Sequence, residues 1–301
     1  MLNMAVIDQV AILFIIMAIG IIARKKKILT DEVKKGVTDL ILNITLPFMI
    51  IASFNQKFSM DMLVNAGAIL IFSTSIHTIS YFISKILYFK STDDRKSVLR
   101  YLTVFSNAAF MGYPVLEAMY GKIGVFYASI YCIPVRVFMW TLGVMLFTSK
   151  KEGNYLKQIF FNPGIIAVII GSIPFSLSIQ FPIIISNTLN MMGNMTTPLS
   201  MLMVGSMIAD ADIKKIFEGT VFYGAFVRLI MIPIVVLTVL KLIGIRGELL
   251  GVTVVLTAMP AASFTAILAG KFHANEVFAS KCVFVSTLLS IVTIPLILLL
   301  I

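Results

Sequence analysis

Met4-Ala-Val-Ile-Asp-Gln-Val-Ala-Ile-Leu-Phe-Ile-Ile-Met-Ala-Ile-Gly-Ile-Ile-Ala23, followed at once by Arg24-Lys-Lys-Lys27, decides what kind of chain this is. A helix of about 20 residues rises about 30 Å, the thickness of a bilayer's hydrocarbon core. The stretch has that length, and Asp8 is its one charged residue. A secretory leader would carry its positive charge ahead of the apolar run. Here the basic cluster follows the run, which is the charge order of a retained span with its N-terminus outside.

Working outward, runs of the same kind follow one another along the chain. Spans are expected near 4–23, 36–54, 62–88, 98–119, 122–147, 164–180, 183–207, 219–245, 250–270 and 276–301, numbered 1 to 10 in that order. Of 301 residues, 59% are hydrophobic and 13% charged. Mean hydropathy is +1.01. A soluble domain carries roughly 25% charged residues. The longest polar interruption, about 149–162, is too short to hold a soluble domain. The expectation is an all-α integral protein of the cell membrane with ten transmembrane helices. The net charge of +10 would suggest nucleic acid in a soluble protein. Here the basic residues sit at span ends, where they set topology and meet lipid headgroups, so no nucleic-acid partner is expected. Cys132 and Cys282 both lie inside apolar runs, with no metal-ligand or disulfide spacing.

Charge also sets orientation. With the N-terminus outside, eighteen of the 24 Lys and Arg fall on inner segments. They include Arg24 to Lys27, Lys34, Lys35, Lys96, Lys150, Lys151, Lys214 and Lys215. Four fall outside (Lys57, Lys122, Lys241, Arg246), and Arg136 and Arg228 fall within spans. Positive charge accumulates on the cytoplasmic side, so both termini are expected outside. Five spans starting outside, then five starting inside, is the layout of an inverted repeat, residues 1–150 against 151–301. Asn43-Ile-Thr-Leu-Pro47 in span 2 matches Asn194-Met-Thr-Thr-Pro198 in span 7. Val125-Phe-Tyr-Ala-Ser129 in span 5 resembles Val277-Phe-Ala-Ser280 in span 10.

The chemistry is expected at two prolines in unusual company. Span 4 reads Ser106-Asn-Ala-Ala-Phe-Met-Gly-Tyr-Pro114, and span 9 reads Thr257-Ala-Met-Pro-Ala-Ala-Ser263. Small neighbours let two backbones approach closely. A residue before proline is pushed out of the helical region, and proline is favoured as the first residue of a helix. Spans 4 and 9 are therefore expected to break, with new half-helices at Pro114 and Pro260. Their free amides would form an anion site near the bilayer middle. The alternative is a pair of kinked packing helices. Asn107 and Ser263 would add side-chain hydrogen bonds, and Tyr113 would pack against a substrate. Arg136, mid-span, faces a cavity, a partner or a substrate, or it snorkels; Arg228 is read as snorkelling. His77, also mid-span, is either a satisfied buried residue or a proton-coupling group.

Asn107-Ala-Ala-Phe-Met-Gly-Tyr-Pro114, Thr197-Pro-Leu-Ser-Met-Leu-Met-Val-Gly205 and Ala258-Met-Pro-Ala-Ala262 resemble the signatures of the auxin efflux carrier family, over nearly the whole chain. Bacterial members of that family are often described as permeases for small acids. The resemblance implies two inverted five-helix repeats whose broken helices 4 and 9 cross at the substrate site. It also implies a scaffold (1–60 and 160–216) and a transport domain (61–150 and 217–301) that moves as an elevator. The candidate substrate-binding set is Asn107, Gly112, Tyr113, Pro114, Arg136, Pro260, Ala261, Ala262 and Ser263, with His77 for proton coupling and no metal or cofactor. A homodimer through the scaffold helices is a possible assembly. The long central loop of plant members is missing here, so regulation through it is not carried over.

Residues 250–270 and the Asn107–Pro114 stretch contain no acidic side chain, which departs from sodium-coupled relatives of this fold. The leading expectation is a carrier of a small organic anion. A cation/proton antiporter would need carboxylates at the crossing, and a membrane sensor would be expected to carry a signalling domain. No HExxH, GxSxG, CxxC or Gly-rich phosphate loop points to an enzyme.

Overall fold

The computed structural model of the chain describes residues 4–148, 155–210 and 218–301. Lys150, Lys151, Lys214 and Lys215, counted above among the inner charges, lie outside the described residues. The described residues are helical, without a strand; one isolated antiparallel bridge joins Ser106 and Ala261. In chain order the helices are α1 (Met4–Lys25), α2 (Asp31–Leu40), α3 (Leu46–Ser53), α4 (Met60–Leu87), α5 (Asp93–Val104), α6 (Tyr113–Phe138) and α7 (Tyr155–Phe160). They continue as α8 (Pro163–Ser176), α9 (Ile183–Asn194), α10 (Thr196–Ala209), α11 (Gly219–Phe226), α12 (Ile232–Leu242), α13 (Gly247–Ala258), α14 (Phe264–Lys271) and α15 (Glu276–Leu298). Among the described residues, five helical runs are long and apolar enough to cross a membrane: Asp31–Ser53, Met60–Leu87, Ala108–Gly143, Gly219–Leu242 and Glu276–Leu298. Pro163–Ser176 and Gly247–Ala258 are shorter apolar helices.

Helix starts follow the sequence. Thr30 accepts from the Val33 amide at the start of α2, Asn162 from Gly164 at α8, and Asn275 from Phe278 at α15. Each occupies a donor that a first helical turn leaves unpaired. Three prolines are preceded by widened π turns, while Pro134, Pro174 and Pro295 lie inside α-helices. The π turns at Ile41–Thr45, Ala108–Gly112 and Val227–Met231 each end two residues before a proline: Pro47, Pro114 and Pro233. Proline has no N–H and its ring crowds the carbonyl four residues back; a turn with one extra residue relieves both.

The chain forms two compact units. The first comprises Met1–Leu70, Ala109–Ile133 and Leu156–Asp210. Its tightest contact is between α1 and α10. A Cβ on Gly205 would lie 2.0 Å from the Met17 carbonyl oxygen, and one on Gly20 would lie 2.3 Å from that of Leu202. Helices in lipid gain little from apolar burial and associate through such close backbone packing. Val10, Leu13 and Met17 are buried on one face of α1, while Ile12, Ile15, Ile19 and Ile22 are exposed on another. A helix apolar on every face belongs in hydrocarbon.

The second unit comprises Ile71–Ala108, Pro134–Tyr155 and Ala211–Ile301. There the usual amphipathic pattern is inverted. Along α4, Ser73, His77, Ser80 and Ser84 are buried, while Ile71, Ile79, Phe82 and Ile86 are exposed. Polar groups inside and isoleucines outside suit lipid, not water. At one end of the unit Glu218 bonds Lys281 on α15 and pairs with Arg95 on α5 at 3.1 Å. The hydrogen bond from Lys281 leads in holding the Glu218 carboxyl below its ordinary range.

Candidate functional site

The site grows from two interruptions in the second unit. α5 ends at Val104, because Phe105 turns to extended backbone (φ −109°, ψ 124°). α13 ends at Ala258, where Met259 is extended (φ −63°, ψ 147°), as the residue before Pro260 should be. The two extended pieces then bond each other. The Asn107 amide donates to the Pro260 carbonyl at 2.8 Å, and the Ala262 amide donates to the Phe105 carbonyl at 3.2 Å. Backbone polar groups leaving a helix inside a membrane need such partners. Helical structure resumes at Ala108 in one strand of this crossing and at Phe264 in the other.

These positions correct two expectations. The helix does not restart at Pro114 but at Ala108, and Pro114 follows the π turn that absorbs it. Nor does it restart at Pro260, which lies in the extended piece, with the next helix beginning at Phe264. The amides expected to be free after Pro260 are also committed: Ala261 donates to the Ser286 hydroxyl at 3.2 Å and Ala262 to Phe105. Besides the two helix starts, the crossing offers a ligand side chains. Asn107 Nδ2 donates to Ser263 Oγ at 3.4 Å. Asn107 is buried and Ser263 half-buried.

A third correction concerns Arg228. A snorkelling arginine keeps its head in water, but this one is 2% exposed. It lies on the π turn Val227–Met231. Its Nε donates to the Met259 carbonyl at 3.0 Å, Nη1 to Thr103 at 3.0 Å and Nη2 to Thr257 at 2.7 Å. Sequence reading missed it because its partners are backbone atoms, which no residue pattern records. Ser286 was missed for the same reason.

The remaining expected residues fall as follows. His77 on α4 stacks on Phe138 at 6.2 Å and lies 6.1 Å from the ring of Phe105. Its Nδ1–H reaches the Ser73 carbonyl at 2.7 Å. Arg136 is half-buried on α6, two residues beyond Pro134. Gly112, Tyr113 and Pro114 are buried in the first unit, where α6 begins. Asn107, Pro260, Ala261, Ala262 and Ser263 thus come together at the crossing; Gly112, Tyr113 and Pro114 are not among the bonds that join it.

The chain matches a family described as membrane transport protein over residues 5–161 and 152–298. It is 26% identical over 302 residues to an uncharacterized transporter of Methanocaldococcus jannaschii, covering 96% of each chain. It is likewise 26% identical over 304 residues to one of Methanothermobacter thermautotrophicus, covering 98% of each. With the uncharacterized transporter YfdV of Escherichia coli K12 it shares 20% identity over 297 residues and 94% of each chain. A polar crossing inside lipid-facing helices and a match along nearly the whole sequence lead to one assignment: this chain is a multi-pass membrane protein of the membrane transport protein family, that of the auxin efflux carriers.

Proposed function

We propose that this chain is a secondary transporter that moves a small organic anion, such as a carboxylate, across the cell membrane. In this reading ten spans form two inverted five-helix repeats, with both termini outside. A transport domain (61–150 and 217–301) slides as an elevator against a scaffold (1–60 and 160–216), which also supplies the contacts of a homodimer. The observation that carries the reading is the meeting of the Asn107 amide and the Ser263 hydroxyl at paired helix interruptions. Each lies just ahead of a resuming helix, at Ala108 and Phe264. Helix starts carry partial positive charge and favour anions. The Asn107–Pro114 and 250–270 stretches hold no carboxylate to repel one. Pro260, Ala261 and Ala262 shape the crossing, while Gly112, Tyr113, Pro114 and Arg136 belong to the proposed substrate path and His77 to proton coupling.

The test is uptake and counterflow of a panel of mono- and dicarboxylates in proteoliposomes. Saturable, sodium-independent and voltage-sensitive movement of at least one carboxylate is expected. A monoanion leaving a cell at 100 mV, negative inside, gains about 2.3 kcal/mol, so net flow should follow the potential. Strict dependence on sodium, or transport of cations only, would overturn the reading.

A further inference from the structure

Arg228 has a role that packing alone does not describe. It stands nine residues into the apolar run Gly219–Leu242, with a buried guanidinium. The three carbonyls it meets share one property: they close helices. Thr103 is in the last turn of α5, Thr257 is in the last turn of α13, and Met259 is that helix's C-cap. The last four carbonyls of a helix lack intrahelical partners, and each helix end carries about half a negative charge. The amide that would have bonded the Thr103 carbonyl is that of Asn107, and it goes to Pro260. The one that would have bonded Thr257 is that of Ala261, and it goes to Ser286. Two negative helix ends of about half a charge each therefore converge on one guanidinium of charge +1.

The partners of the Arg228 guanidinium named above are backbone carbonyls, and carboxylates are sparse in the described sequence around them. In the second unit, stretches 71–92, 95–108, 134–148, 219–247, 249–275 and 277–301 contain no Asp or Glu. The acidic residues described there, Asp93, Asp94, Glu218, Glu248 and Glu276, all stand at helix starts. Converging carbonyls from two interrupted helices form the kind of seat in which transporters hold a dissociable alkali cation. Here the seat is filled by a side chain.

We infer that Arg228 is a resident counter-cation: it occupies the place of a coupling cation between the ends of α5 and α13, and so frees the crossing from any need for sodium or potassium. A guanidinium suits the seat because its donors form a planar fork and it keeps its charge at any physiological pH. Arg228 is then a positioning residue, holding Thr103, Thr257 and Met259 so that Asn107 and Ser263 keep their places. The consequence for coupling rests on the transport reading; the occupied cation seat does not.

The experiment follows thermal unfolding of the purified protein in sodium, potassium, choline or guanidinium chloride at equal, subdenaturing ionic strength. The unaltered protein should melt at the same temperature in sodium, potassium and choline. Arg228→Gln keeps a hydrogen-bond donor but removes the charge. It should melt on the order of 10 °C lower in choline. It should also acquire a cation response that the parent lacks, with guanidinium or sodium recovering at least half of the loss. Arg228→Lys, which keeps the charge, should fall between the two and respond weakly. A structural hydrogen bond alone would lower the melting temperature without creating cation selectivity. An Arg228→Gln protein equally unstable in all four salts, or as stable as the parent, would overturn the inference. If neither variant folds, the parent still decides: stabilisation by sodium over choline would mean that the seat is open. Because no outcome depends on a transported substrate, a wrong substrate class would not mask the result.

Discussion

Asn107→Ala separates binding from folding. The bond that ties the two interruptions together uses the Asn107 backbone amide and the Pro260 carbonyl at 2.8 Å, which alanine keeps. The side chain's own bond to Ser263 is long, 3.4 Å, at the outer edge of a hydrogen bond. Its loss should cost about 0.5 kcal/mol, the low end for such bonds. At about 2–4 °C per kcal/mol for a unit of this size, the melting temperature should fall by only about 1–2 °C. A hydrogen bond from the same amide to a substrate carboxylate is charge-assisted and worth about 1.5–3 kcal/mol. Removing it should lower the specificity of transport, kcat/KM, by about 10- to 150-fold. Asn107→Asp keeps the shape and sets a negative charge against the anion, so it should transport less than the alanine variant. Initial rates in proteoliposomes, paired with melting curves on the same preparations, give both quantities. Normal transport by Asn107→Ala would remove Asn107 from the site. A loss of transport matched by a melting shift of many degrees would show that the residue only holds the fold.

Three other outcomes follow from the same geometry. Pro260→Ala releases Met259 from the extended conformation that a following proline imposes, so α13 should extend toward α14 and transport should fall at least tenfold in the same liposome assay. Unchanged rates would mean that Pro260 is merely a kink. Gly205→Ala puts a methyl group 2.0 Å from the Met17 carbonyl oxygen, so α1 and α10 must part by about 1 Å or more; overpacking of about 1–3 kcal/mol should outweigh the gain in helix propensity of about 1 kcal/mol and lower the melting temperature. Gly36→Ala, with nothing within 4 Å of the new methyl, is the control and should be neutral or stabilising. For orientation, single cysteines at Lys35 and Lys96 should resist an impermeant thiol reagent in intact cells, with a low background because Cys132 and Cys282 are buried; ready labelling from outside would invert the assigned topology.

What could be read in the sequence was whatever a residue's own side chain decides. Hydrocarbon selects apolar runs of a fixed length, so the membrane class was visible from Met4–Ala23 alone. The interruptions were visible as Asn107 and Pro260 set among small residues, because conformational rules act on the chain locally. Their boundaries were not. Proline at 114 reads as a helix start, yet the structure spends a π turn over Ala108–Gly112 and carries the helix past it. The same solution recurs before Pro47 and Pro233. Proline alone therefore does not mark a break in this chain. The chain breaks at Met259–Pro260 because the extended backbone there, Pro260 to Ala262, finds partners in Asn107 and Phe105 of the other interruption, and that pairing is non-local.

Arg228 shows the same limit from the side of charge. Counting residues from the span end makes it a snorkelling side chain, since its stem is long enough to reach a headgroup. Position along a helix fixes depth but not direction, and direction decides here. Turned inward, the guanidinium meets three carbonyls that exist only because α5 and α13 stop where they do. The arginine and the interruptions therefore account for each other. Carbonyls left by two broken helices would be costly in lipid without a donor, and a buried cation would be costly without those carbonyls. Replacing one should therefore remove part of what the other contributes. A double-mutant cycle between Arg228→Gln and Pro260→Ala should accordingly show coupling, with the double variant losing less stability than the two single losses added. Additive losses would mean that the arginine and the interruption are held independently, and the mutual account given for them would fail.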